Sequence, residues 1–306
     1  MTEKIENTLE ELLFQYTYYY GMRRTNKDKQ QAYGFIAKKF GDELGYSIKF
    51  DKFSVGVTKI GLCTAGNIEK ADIVFVAPFD TPKKTCFYPY KFYPLNENSS
   101  KMSSVIRDIV NYAVLGILLA LVFAVVWYFG WNRWIGIGVM LLIAVFYSFI
   151  MNHNIFNFNG TASLALMNYM ALNNQKNKDR FAFVFLDEAC TSYIPLRLFL
   201  IKYSDALKHC RKIVYLDNLA SSEELLCVRR SDCPDSLKFE DDLHLQNITL
   251  GNNEGPHCFD PSAKLIMLSA SDKDKKDRYF VKGLGSKKDK NMNVKRLKRI
   301  AEQFTV

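Results

Sequence analysis

The chain has 306 residues, 48% of them hydrophobic, and 41 Lys and Arg against 32 Asp and Glu leave a formal charge of +9. That balance suits a surface beside anionic lipid or nucleic acid and does not by itself choose between them. The seven cysteines (Cys63, Cys86, Cys190, Cys210, Cys227, Cys233 and Cys258) are odd in number and form no CxxC pair, which argues against a disulfide framework or structural zinc site and for reduced thiols in a cytosolic compartment.

The chain opens MTEKIENTLEELLF, charged and amphipathic, without the apolar core of a cleavable signal peptide. Leu9, Leu12, Leu13 and Tyr16 recur at helical spacing, as do Ala32, Phe35, Ile36 and Phe40, and Gly45 stops the second helix. Ser47–Lys52 and Ile60–Ala65 alternate as strands do. Ala71–Phe79 (ADIVFVAPF) is continuously apolar, as a central strand buried on both faces must be. Lys83–Pro94 (KKTCFYPYKFYP) interleaves lysines with aromatics, and two readings fit it: a segment at a bilayer interface, or an aromatic loop packed on the domain.

Ile109–Phe129 carries no charge and is long enough to span a hydrocarbon core of about 30 Å at 1.5 Å per residue. Gly130-Trp131-Asn132-Arg133 makes a tight polar turn, and Trp134–Met151 is a second, slightly shorter span. The chain's three tryptophans, Trp127, Trp131 and Trp134, cluster with Arg133 around that turn and mark it as one membrane interface. A buried core hairpin is the competing reading, and two adjacent uncharged runs of this length disfavour it. Two spans put both flanks on one side. Lys101 and Arg107 precede the first span and lysines crowd the distal parts, against Arg133 alone in the turn, so both termini are expected in the cytoplasm of a two-span cell-membrane protein. The three Asn-x-Ser/Thr sequences at Asn98, Asn159 and Asn247 would then stay unglycosylated.

Beyond the hairpin the pattern predicts a helix over Ser163–Leu172, a buried strand over Phe181–Leu186 and a helix over Tyr193–Tyr203. Strands over Lys212–Leu216 and Ala263–Ala270 and a closing helix over Val294–Phe304 follow. The expected fold is α/β, a mostly parallel central sheet with helices on both faces. Residues 1–108 and 152–306 form one discontinuous domain, interrupted by the helical hairpin 109–151 with spans at about 109–129 and 134–151. The carboxyl ends of three strands hold Asp80, Asp187-Glu188 and Asp217, which read either as remnants of a metal site or as helix caps and loop solvation.

The order of these elements resembles the di-zinc aminopeptidase family, whose members include glutaminyl cyclases and non-catalytic receptor ectodomains. The resemblance covers nearly the whole chain except the hairpin. It is carried by YYYGMRRTNKDKQQAYGFIAKKFGDELGYSIKFDKFSV, by ADIVFVAPFDTP, NFNGTASLALMNYMA, FAFVFLDEAC and IVYLDNLAS, and by GSKKDKNMNVKRLKRI. It implies a His-x-Asp at Pro78 and Asp80, a bridging Asp at Phe158 followed by Asn159, a Glu-Glu pair at Ala189-Cys190 or, with slipped register, at Asp187-Glu188, a ligand Asp at Asp217 and a final His near Gly285. Pro78 and Phe158 cannot coordinate zinc, and only Asp217 keeps a ligand position cleanly. The resemblance therefore implies a pseudo-peptidase.

Other chemistries have less support. His153 abuts the second span, His209-Cys210 closes a lysine-bearing helix, and His257-Cys258 are adjacent residues that rarely form a base and nucleophile; His244 lies in a polar stretch. No GxxxxGK[ST] or GxGxxG phosphate loop occurs. The basic tail, from Lys273, Lys275 and Lys276 through Lys287, Lys288 and Lys290 to Arg299, reads as a solvated face, with anionic lipid a better partner than nucleic acid. The expectation is an inactive, aminopeptidase-like membrane protein that serves as a binding or scaffold subunit. Its partners would be the bilayer, a membrane protein or a second copy, and a peptide, with no cofactor. The alternative is an active metallopeptidase with a rearranged or single zinc built from Asp80, Asp187, Glu188 and Asp217.

Overall fold

The computed structural model describes residues 2–55, 58–85, 87–130, 132–152, 157–220, 222–234, 237, 245–251, 254–281, 283–286, 289 and 292–305. Cys86, Trp131, His153, His244, Lys287, Lys288 and Lys290 lie outside them.

Helix α1 (Thr2–Phe14) buries Leu9, Leu12 and Leu13, and a π-helical turn carries it on to bury Tyr16. Helix α2 (Asn26–Ile36) starts at a capping box: the Asp28 amide donates to the Thr25 hydroxyl, and the Thr25 amide to the Asp28 carboxylate. Two otherwise orphaned donors are thereby satisfied. It continues as a π-helical stretch to Glu43 and stops at Gly45, whose φ of 70° closes the end as expected.

Strands β1 (Ile48–Val55) and β2 (Thr58–Ala65) form an antiparallel hairpin, followed by β3 (Ile73–Pro78). After two long helices come α5 (Phe158–Asn173), β4 (Phe181–Leu186), α6 (Ile194–Lys202) and β5 (Lys212–Asp217). The chain then adds β6 (Glu224–Arg230), β7 (Leu245–Leu250), β8 (Leu265–Lys273), β9 (Tyr279–Phe280) and α7 (Val294–Glu302).

The strand order is β1-β2-β4-β3-β5-β8-β6-β7, with β9 beside β8. Strands β4, β3, β5 and β8 are mutually parallel, but β2 runs antiparallel to β4, and β6 and β9 antiparallel to β8. The sheet is thus mixed, which corrects the expectation of a mostly parallel one. A short connection between β1 and β2 permits only antiparallel pairing, whereas β3, β4 and β5 are joined by helical crossovers. Strands β6, β7 and β9 were not expected: β6 begins and ends in charge, and β7 (LQNITL) is a half-exposed edge.

The continuous apolar strands are buried on both faces. In β4, Phe181, Phe183 and Phe185 enter the core under α1, α2, α5 and α7, while Ala182, Val184 and Leu186 enter the core under α6. Helix α5 is buried along most of its length and starts at Phe158, ahead of the expected Ser163.

Helix α3 (Glu97–Tyr128) has 32 residues and α4 (Arg133–Asn152) has 20. Both are long and apolar enough to cross a membrane. Only 6% and 11% of their apolar windows are buried, which is not the packing of a core hairpin. Gly136 lies tight against Val126, where a Cβ would come within 2.9 Å of a methyl group, and the Tyr147 hydroxyl donates to the Asn111 carbonyl at 2.8 Å. Helix α3 extends ahead of the apolar span that begins at Ile109, and Asn96 caps it by accepting from the Ser99 amide. Its polar first part docks on the domain through buried Ser100, Ser103 and Arg107.

Candidate functional site

Strands β3, β4 and β5 end together, and their carboxyl ends bring most of the expected site residues into one neighbourhood. Pro78 ends β3 opposite Leu186, the last residue of β4. Asp80, just beyond, is buried. Its Oδ1 accepts from the amides of Ala189 and Cys190 at 2.8 and 3.0 Å, and its Oδ2 accepts from the Cys190 thiol at 2.8 Å. Burial pushes the Asp80 carboxyl up, and burial with the neighbouring Asp80 charge pushes the Cys190 thiol well up. A thiol held protonated is a hydrogen-bond donor and not a nucleophile.

Asp187 and Glu188 point the other way, to α2. The Lys29 ammonium sits 2.7 Å from Asp187 and 2.8 Å from Glu188. Burial and the Asp80 charge push Asp187 up to about 6, against the pull of Lys29. Burial draws Lys29 down, but its two carboxylate partners outweigh this and raise it. Glu188 has a φ of 56°, and Asn218, after Asp217, a φ of 46°. Two left-handed non-glycine residues directly after the strand-end acids mark a locally strained rim.

Asp217 is fully buried. Its Oδ2 accepts from the Tyr193 hydroxyl at 2.9 Å and from Ser269 at 3.4 Å, and its Oδ1 from the Asn218 amide at 2.6 Å. Burial pushes it up to about 7, although these three donors favour the charged form. Phe158 opens α5, and Asn159 is buried beside it. Both the backbone and side-chain amides of Asn159 donate to Asp289 Oδ1, at 3.1 and 3.0 Å, while its Oδ1 accepts from the Ala220 amide at 3.1 Å. Asp289 therefore places a carboxylate at the amino end of α5, where the helix dipole favours it. Burial still pushes it up to about 7.

Gly285 has a φ of 74°, accepts from the Thr85 amide, and a Cβ there would lie 2.5 Å from the Lys83 carbonyl. No side chain, histidine included, fits without moving this backbone. Gly285→Ala should destabilise the domain by about 2 kcal/mol or more, read as a shift of the denaturant midpoint. An unchanged midpoint would show that the loop adapts freely.

Residues that the sequence patterns did not single out complete the site. Arg23 is fully buried, donates to the carbonyls of Phe79 and Tyr20, and is lowered by burial to about 10, opposed by the Asp80 charge. Asp289 sits in the lysine-rich tail that reads as a solvated face, Lys29 stands near the start of a helix marked only by its apolar positions, and Tyr193 precedes an ordinary apolar helix. None carried a local signal. Among the four histidines, His257 meets Asp260 at 3.2 Å and makes no pair with buried Cys258.

Among the described residues, no three His, Cys, Asp or Glu side chains form a group able to hold a metal ion. The donor set does not fit a bridged zinc pair. Pro78 and Phe158 offer no ligand atom, and the oxygens of Asp80 and Asp217 already accept from protein donors.

The root of the hairpin lies beside these strand ends. The Arg107 guanidinium of α3 stands 4.9 Å from the ring centre of Tyr90, and Tyr90 lies within electrostatic range of both Cys190 and Asp217. Phe92 meets Tyr193 edge-on at 5.3 Å. The Lys84 amide donates to the carbonyl of Met151 at the end of α4.

No family model and no curated protein matches the chain. Among solved structures it is similar to glutaminyl cyclase from Porphyromonas gingivalis, at 8% identity and a TM-score of 0.54 over 99% of this chain and 96% of that one. It is similar to an Acidobacteriales bacterium glutaminyl cyclase at 12% identity, TM-score 0.54, over 98% and 92%. The LapA aminopeptidase of Legionella pneumophila gives 10% identity and a TM-score of 0.52 over 100% and 71%. The chain thus has the fold of the glutaminyl-cyclase-like zinc exopeptidases.

Proposed function

We propose that, on this zinc-exopeptidase fold, the chain is a catalytically inactive, membrane-anchored domain that works by binding, as a scaffold subunit of a membrane complex or as a peptide-recognition module. One observation carries the reading: the retained carboxylates are engaged by protein donors in place of metal, Asp80 by Cys190 and two amides, Asp217 by Tyr193 and Asn218, Asp187 by Lys29. A buried carboxylate whose lone pairs are taken up internally has little left to offer a cation.

The apolar faces of α3 and α4 support a bilayer as the anchor. The excess of Lys and Arg outside the turn supports cytoplasmic termini. The contacts of Arg107, Tyr90 and Met151 support a former pocket that lies close to the membrane.

The test is elemental analysis of full-length protein purified in mild detergent without chelator, paired with aminopeptidase and glutaminyl cyclase assays. Zinc well below one per chain and no activity are expected. Stoichiometric zinc with activity that Asp217→Ala abolishes would replace this reading with a rearranged metalloenzyme.

A further inference from the structure

The segment between β3 and α3 is tied at two points to the two legs of the hairpin. At one point, the Lys84 amide donates to the Met151 carbonyl at 3.0 Å. At the other, the Lys91 amide donates to Ser103 at 2.9 Å, the Tyr93 amide to Ser100 at 2.8 Å, and Arg107 stacks over Tyr90. Met151 is where the apolar run of α4 gives out, and Arg107 and Asp108 immediately precede the apolar run of α3. Lys84 and Tyr90, at the two ends of the loop, therefore each lie against one leg at the level where polar sequence meets apolar.

Its two sides differ. Inward, Tyr90 and Phe92 are buried against the site. Outward, Phe87 is 54% exposed, Pro89 is exposed, and Lys83 and Lys84 are half-buried at the hairpin's foot. An exposed aromatic ring beside two lysines at the foot of two apolar helices suits the headgroup layer: the ring sits among acyl carbonyls while the ammonium groups reach phosphate.

We infer that this loop is a third membrane contact, with the Phe87 ring in the interfacial layer and Lys83 and Lys84 against anionic headgroups. The inference rests on the reading of α3 and α4 as spans. The occupant is a lipid surface because the loop is continuous with both legs of the hairpin and its charge is opposite to that of an anionic leaflet. Pinned inward and outward, the loop holds the carboxyl edge of the sheet toward the bilayer.

The test uses the full chain with Trp127→Phe, Trp131→Phe and Trp134→Phe, adding Phe87→Trp as the reporter. A sister protein carries Ile201→Trp, an exposed site at the far end of α6. Both are reconstituted in phosphatidylcholine vesicles with and without phosphatidylserine, floated, and quenched with shallow-brominated lipid or with aqueous acrylamide. Residue 87 should be quenched by brominated lipid and shielded from acrylamide, and residue 201 the reverse. Lys83→Glu with Lys84→Glu should lower lipid quenching at 87 severalfold when phosphatidylserine is present; no change would remove the lysines from the contact and overturn the inference. Chains that float with residue 87 open to acrylamide also overturn it and leave the spans standing. Chains that do not float overturn the spanning reading itself.

Discussion

Raising the pH from 5 to 8 is expected to destabilise the soluble domain by several kcal/mol. Asp217 and Asp289 contribute most, buried carboxyls whose folded-state values rise to about 7 from an unfolded value of 3.8, and Asp187, raised to about 6, adds in the same sense over the lower part of the range. A raised acid binds its proton more tightly in the folded state. Its contribution is fully present below the unfolded value and is lost as pH climbs through the folded one. Asp217 and Asp289 then each contribute a loss of about 1.4 kcal/mol per pH unit between roughly 4 and 7. Asp274 acts in the opposite sense but only below about 4: desolvation raises it, and the bonds from the Arg278 side chain and the Arg278 and Lys276 amides outweigh this and hold it at about 2. The two windows hardly overlap.

Asp289→Asn should flatten this dependence, because an amide oxygen keeps the bonds from Asn159 without a charge to bury. Asp217→Asn should act likewise, its oxygen still accepting from Tyr193. Thermal unfolding in detergent at pH 5, 6, 7 and 8 checks both. A wild-type Tm that is flat or rises toward pH 8, or an Asp289→Asn protein with the full wild-type slope, would refute the assignment.

Arginine at the centre of both hairpin helices should abolish stable membrane integration. Leu118 and Leu142 lie near the midpoints of the two apolar stretches, and both side chains are exposed. A cation at that depth opposes insertion by about 2.5–3.5 kcal/mol on translocon scales, so the pair opposes it by about 6 kcal/mol. Wild-type protein should resist carbonate extraction, and Leu118→Arg with Leu142→Arg should be extracted or degraded. Asn132→Arg, in the polar turn, should behave as wild type. If the hairpin instead stood in water, the double variant would be more soluble and otherwise unchanged, and the anchor reading would fall.

How much of this was legible in advance depended on whether the signal was local. The strand Phe181–Leu186 was bounded correctly, because continuous apolar sequence between polar ends has one good solution. Glycine 45 announced its turn, since its positive φ suits few other residues. By contrast, β7 gives no strand signal because an edge position relaxes the demand for apolar alternation, and β6, an interior strand between β8 and β7, gives none because its short apolar run is bounded by charge. Helix α3 begins ahead of the apolar span, because an apolar run marks a span and not where a helix starts. Its polar first turns are stabilised by the Asn96 cap and by docking of Ser100, Ser103 and Arg107.

The site divides in the same way. That Pro78 and Phe158 carry no ligand atoms is a property of the letters, and so are the two apolar runs with tryptophans at their turn. The sequence by itself determined those, because side-chain chemistry and hydrophobic length do not depend on neighbours. Which groups partner the strand-end carboxylates was decided only by tertiary structure. Lys29 reaches Asp187 across 158 positions, Asp289 reaches Asn159 across 130, and Cys190 reaches Asp80 across 110. Burial shifts the carboxyls only once the sheet has closed over them, and such burial is a sum over distant segments that no local pattern encodes.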